Sequence, residues 1–100
     1  MRSNEFLFES AESIISYLLL MGINIGELEH NSVKVIAQYE SNPTLKEALK
    51  NALFTINIAL IRVISSDIWD RFTDDLEVAD VYNRFANLYN TNDDYLNSLL

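Results

Sequence analysis

From Leu45 to Ile64 apolar side chains recur at steps of three and four without a break: Leu45, Ala48, Leu49, Ala52, Leu53, Ile56, Ala59, Leu60, Val63 and Ile64. That period places them on one face of an α-helix. Phe54, Ile58 and Ile61 add apolar groups on the flanks, so this helix is apolar on several sides and is expected to be the central one, touched by most of the others. Its start is punctuated by Ser41-Asn42-Pro43-Thr44. Asn42 can cap with Pro43 in the first helical position, or Thr44 and Glu47 can form a capping box.

Weaker helical patterns surround it. Leu7, Ala11, Ile14, Leu18 and Met21 keep helical spacing, widened by Phe8, Ile15 and Leu19, in a helix capped by Ser3 or Asn4 and ended by Gly22 as its C′ residue. Glu27 to Tyr39 carries Leu28, Val35, Ile36 and Tyr39 and reads as a helix, either whole or broken near Asn31-Ser32, since no second strand is evident to pair with its β-branched residues. Ser65 and Ser66 stop the central helix and open a short one through Asp67 to Phe72. Asp74 or Asp75 caps another, with Val78, Tyr82, Phe85 and Tyr89 inward. The tail from Thr91 to Leu100 reads as a short final helix that docks Leu96, Leu99 and Leu100. The expected fold is all-α: one domain over residues 1–100, a bundle of four main helices plus one or two short ones around a central apolar helix at about residues 44–65.

The chemistry available is narrow. There is no cysteine, and His30 is the single histidine, which removes thiol nucleophiles, Cys–His pairs and multi-histidine metal sites. Glu27-Leu28-Glu29-His30 has the Glu-x-x-His spacing of di-iron bundles, but that architecture needs two such motifs, and a partly exposed helical His30 is the simpler reading. Asp74-Asp75 and Asp93-Asp94 lack the alternating ligands and glycine of a calcium loop and are explained as helix starts. No glycine-rich phosphate loop is present. The chain is therefore expected not to be an enzyme and to hold no cofactor or metal.

Charge gives a positive clue. Seven Lys and Arg against 15 Asp and Glu leave a net charge of −8, a sign that repels phosphate backbones, so direct binding to nucleic acid or anionic membrane is disfavoured. Ala52 to Ile64 is interrupted by Thr55, Asn57 and Arg62 and falls short of the roughly 20 residues of a bilayer span, and no export signal is visible at the N-terminus. A soluble, cytoplasmic protein is expected. Asp67, Asp70, Asp74, Asp75, Glu77 and Asp80 stand against Arg71 alone in the stretch 67–80, and Trp69 and Phe72 lie among them. An aromatic anchor ringed by charge is the usual make-up of an interface hot spot, although Trp69 and Phe72 fit the core equally well and acidic residues at helix starts complement the dipole. The expected partner-binding residues are Asp67, Trp69, Asp70, Asp74, Asp75, Glu77 and Asp80, facing a protein with a basic surface. Tyr95, Asn83, Asn87 and Asn90 are further surface contributors.

In size, acidity, absence of cysteine and helical make-up the chain resembles bacterial toxin-immunity proteins, including those of contact-dependent growth inhibition systems and the small helical bacteriocin immunity proteins. The likeness is one of character over the whole chain, with no shared motif from which a residue's role could be transferred. It implies an inhibitor that neutralises a cognate toxin, a nuclease with a basic active site fitting the charge best. Two alternatives stand beside it: a phage-encoded antagonist of host nucleic-acid defence, of the anti-CRISPR or nucleic-acid-mimic kind, and a helical adaptor. The adaptor would associate with its own kind through Phe6, Tyr17, Leu20 and Phe54, which fall off the main core spacing.

Overall fold

The computed structural model describes residues 10–72 and 74–100. Four α-helices, α1 (Ala11–Leu20), α2 (Ile25–Ser41), α3 (Lys46–Ile64) and α4 (Leu76–Ser98), are joined by two 3₁₀ segments, Pro43–Leu45 and Asp67–Phe72, with no strand among the described residues. The all-α bundle expected from the periodicity is the fold. α3 is its centre, packed along α4 on one side and α2 on the other, while α1 rests on α4. The molecule is elongated, 56 × 23 × 17 Å, and its longest helix, α4, has 23 residues, about 34 Å at 1.5 Å per residue.

Local chemistry explains most helix ends. Ser10 is extended (φ −154°, ψ 170°) and its hydroxyl accepts from the Ser13 amide at 3.3 Å, so α1 begins at Ala11. The expected caps Ser3 and Asn4, the stripe positions Leu7 and Phe8, and Phe6 lie outside the described residues. At the other end Gly22 takes φ +80°. Its amide bonds the Leu19 carbonyl and the Ile23 amide reaches the Leu18 carbonyl, the paired closure of a Schellman motif. α1 and α2 meet at a bend of 65°, and Asn24 caps α2 by accepting from the Glu27 amide. Asn42 accepts from the Thr44 amide with Pro43 first in its 3₁₀ turn. The Thr44–Glu47 capping box does not form, because Thr44 lies inside the 3₁₀ turn and Leu45 occupies the cap position of α3; the Thr44 hydroxyl donates to Asn42 Oδ1.

The core is divided in two. Ile14, Leu18, Ile56, Leu60, Val63, Trp69, Val78 and Phe85 belong to a large cluster, and Leu49, Leu53 and Leu96 to a small distal one supported by Tyr39 and Tyr95. Across α2, α3 and α4 lies a polar layer of Ser32, Asn57 and Asn92, all buried. The Asn57 amide donates to the Tyr89 carbonyl at 3.4 Å, and the Asn92 amide donates to Asn57 Oδ1 at 3.1 Å and to Ser32 Oγ at 3.0 Å. Asn57 must donate to the helix carbonyl, so its oxygen faces Asn92, and Asn92 must answer with its nitrogen. Asn92 Oδ1 is left without a partner.

That layer accounts for two departures from the sequence reading. α2 passes through Asn31-Ser32 unbroken, since Ser32 faces the core and meets Asn92. The separate tail helix does not exist: α4 continues to Ser98, because Asn92 turns inward and does not cap, and neither glycine nor proline interrupts Leu76 to Ser98. Asp93 and Asp94 are therefore exposed positions within a helix, not a helix start.

Length does not exclude a bilayer span. The helical stretch Pro43–Asp70, 28 residues with a window of mean hydropathy 1.4, is long and apolar enough to cross a membrane by length and composition, and 39% of that window is buried inside the protein. One face of α3 supplies core residues from Leu49 to Val63, whereas Phe54, Ile58 and Ile61 remain 52%, 53% and 42% exposed.

Candidate functional site

The acidic stretch forms the turn between α3 and α4. Ser66 opens it, its hydroxyl accepting from the Ile68 amide, and the Asp67–Phe72 segment follows. In a 3₁₀ helix positions three apart eclipse, which stacks Asp67 and Asp70 on one side, both exposed. Asp74 is exposed in the turn. Asp75 is half-buried and caps α4, with one carboxylate oxygen accepting from the amides of Glu77 at 3.0 Å and Val78 at 3.2 Å. Glu77 and Asp80 are exposed and, three apart on α4, are neighbours on its surface.

Of the two readings the sequence left open for Trp69, core residue and interface anchor, the structure shows the first, with Trp69 in the core. It is 8% exposed, its indole nitrogen donates to the Val63 carbonyl at 2.8 Å, and its ring meets Tyr82 edge-on at 5.3 Å and Phe85 at 6.2 Å. A large apolar ring on a tight turn that abuts α3 and α4 gains more from the core than from solvent. The side chains of Arg71 and Phe72 lie outside the described residues.

Trp69 still reaches the surface along one edge. A cavity of about 320 Å³ opens between the 3₁₀ segment and α4, walled by Trp69, Ala79 and Tyr82 with Ser66, Asp70 and Asn83 supplying polar groups. Trp69 and Asp70 are the two members of the expected binding set that line it. Asp75 is engaged in capping, and Asp67, Asp74, Glu77 and Asp80 lie outside the cavity lining. Ser66, Ala79 and Tyr82 were not singled out from sequence as site residues. The signal was present in the spacing, because 79, 82 and 83 share a face of α4 next to the serine that ends α3. From Asn83 an exposed row continues along α4 through Asn87 and Asn90. Tyr95 is half-buried and packs on the small distal cluster.

Ion pairing lies elsewhere: Arg84 binds Glu29 at 2.6 Å across α4 and α2, and Lys50 meets Glu47 at 3.5 Å on α3. Among the described residues, Asp67, Asp70, Asp74, Glu77 and Asp80 have no cationic partner, and no group of three or more His, Cys, Asp or Glu is arranged to hold a metal ion. His30 is exposed. No family model, curated protein or solved structure matches the chain.

Proposed function

We propose that this protein is a protein-binding inhibitor of the immunity type, which neutralises a toxin by covering a basic site, a nuclease active centre fitting best. The observation that carries the proposal is the set of five exposed carboxylates at Asp67, Asp70, Asp74, Glu77 and Asp80, which among the described residues are unpaired, while the ion pairs of those residues, Arg84–Glu29 and Lys50–Glu47, lie elsewhere. Like charge gathered on one turn destabilises the folded state by self-repulsion. A basic partner relieves that repulsion, and opposite charge steers the encounter and helps exclude wrong partners. The exposed row Asn83, Asn87 and Asn90 offers adaptable hydrogen bonds beside it.

The test is an affinity pull-down from the source cells with mass-spectrometric identification, followed by an activity assay of whatever is captured. It is run beside a variant carrying asparagine or glutamine at all five carboxylates. A basic toxin or nuclease retained by the native protein alone, and inhibited by it at equal stoichiometry, is the expected result. Equal capture by both proteins, or capture without inhibition, would overturn the proposal.

A second reading has its own observation. Phe54, Ile58 and Ile61 are exposed on α3 at steps of four and three, so they form one stripe, and such a stripe suits an adaptor that associates through this helix. Light scattering during size-exclusion separates the readings, since association through the stripe raises the mass with concentration.

A further inference from the structure

We propose that the cavity between the Asp67–Phe72 segment and α4 is a socket for a single arginine side chain of the partner protein. The inference rests on the inhibitor reading and adds to it the chemical group that the surface selects.

The cavity is small. At about 320 Å³ it stands at the lower end of ligand sites, a size suited to one long side chain. Its walls differ in kind. Val78 and Ala79 give an apolar flank along which an aliphatic stem can lie. Trp69 and Tyr82, held edge to face with planes 80° apart, put aromatic surface on the other side, and the Trp69 nitrogen is already spent on the Val63 carbonyl. What the indole turns to the cavity is therefore an apolar ring edge with no free donor for an anion, and the attraction for a cation comes from the carboxylate of Asp70. Asp70 and Asn83, both exposed, complete the lining with a carboxylate and a side-chain amide.

Arginine uses all of these surfaces together. Its aliphatic stem packs along the apolar and aromatic walls, and its planar guanidinium presents donors in a fork that matches a carboxylate. Lysine has the charge without the plane or the fork. A neutral isostere has the shape without the charge. An anionic ligand would meet Asp70 on a chain of net charge −8, which disfavours it.

The experiment is a titration of the full-length protein with N-acetyl-arginine amide, followed by NMR. The single tryptophan gives one indole resonance, which reports the cavity wall directly. N-acetyl-lysine amide and N-acetyl-citrulline amide are the comparison probes. Saturable shifts of the indole and of the Asn83 side-chain amide are expected with the arginine probe, at a millimolar Kd, weaker with lysine and absent with citrulline. Asp70→Asn should weaken arginine binding by about tenfold through loss of a charge-assisted pair. Ala79→Leu should abolish it by filling the cavity, with the circular dichroism spectrum unchanged. No saturable shift, an equal response to citrulline, or full binding to Ala79→Leu would overturn the socket. If the socket fails while the five-carboxylate variant still loses its partner, the inhibitor reading stands without it. If the socket binds arginine and that variant retains its partner, the inhibitor reading fails alone.

Discussion

Asn92 offers a sharp test of how the bundle is held together. Replacing it by aspartate keeps the shape of the side chain and changes one nitrogen to oxygen, so packing is preserved while both donated hydrogen bonds, to Asn57 Oδ1 and Ser32 Oγ, are lost. Two such bonds contribute about 2 kcal/mol together, and each acceptor left unpaired adds to the loss. The Ser32 hydroxyl can rotate to donate, but Asn57 Oδ1 would face a second acceptor at a position with 0% exposure. An uncompensated buried charge destabilises by about 3–5 kcal/mol, and we predict a loss of about 4 kcal/mol for Asn92→Asp at neutral pH. In a domain of this length that lowers Tm by roughly 15–30 °C. The new carboxyl would have its pKa raised by burial. Protonation would then restore the donor, so the deficit should shrink as pH falls towards about 4 and be complete above the folded-state pKa. Thermal melts followed by far-UV circular dichroism at both pH values test this, with Asn57→Leu/Asn92→Leu beside them. The double variant removes the amides together with the partnerless oxygen and should be near wild-type stability or above it. A loss under about 1 kcal/mol for Asn92→Asp, or a deficit independent of pH, would refute the buried layer as the determinant.

Three further outcomes are expected. Trp69→Phe removes the donor to the Val63 carbonyl and part of the ring contact with Tyr82, lowering stability by about 1–3 kcal/mol, whereas an exposed anchor would change stability by under about 0.5 kcal/mol; urea unfolding distinguishes the two. Gly22→Ala meets no atom within 4 Å, so its whole effect is the positive φ, about 1–2 kcal/mol, and calorimetry showing no loss would argue against the Schellman closure. Burial, followed by the Glu40 charge, holds the Tyr95 hydroxyl above the ordinary tyrosine value; the unfolded chain therefore ionises first, the stability from this group is intact below about pH 10 and is lost as pH rises through the folded-state pKa. Tyr95→Phe should thus unfold at a higher urea midpoint than wild type above about pH 10 relative to their difference at pH 9, and parallel curves would contradict that.

What the sequence made legible was local. The α3 stripe, the Asn42-Pro43 start, Gly22 and the Asp75 cap each depend on residues within one or two turns, where side-chain and backbone preferences decide the conformation. The features that escaped are tertiary. Asn57 looked like an interruption of an apolar run and Asn92 like part of a helix start, yet each occupies a core position of its helix, as does Ser32. Polar residues recurring on three core stripes were the available signal, but their pairing across 35 and 60 positions is set by packing. Trp69 illustrates the same limit. A short turn with no clear period left its ring open between core and surface, and only the approach of α3 and α4 shows that it is enclosed.

The arrangement separates the groups that hold the fold from those that the inhibitor proposal assigns to a partner, with one point of overlap. Asp67, Asp70, Asp74, Glu77 and Asp80 are exposed and unpaired among the described residues, so neutralising them should change stability by under about 0.5 kcal/mol each, or raise it by relieving repulsion. Asn92 and Asn57 should do the reverse, shifting stability while leaving affinity of the folded fraction unchanged. Trp69 belongs to both sets, because its buried ring supports the core while one edge lines the cavity. A loss of binding in a Trp69 variant therefore says nothing about contact unless it exceeds the loss of folded protein. Asp70 and Ala79, which line the same cavity from outside the core cluster, are the positions at which a change in affinity reports recognition alone.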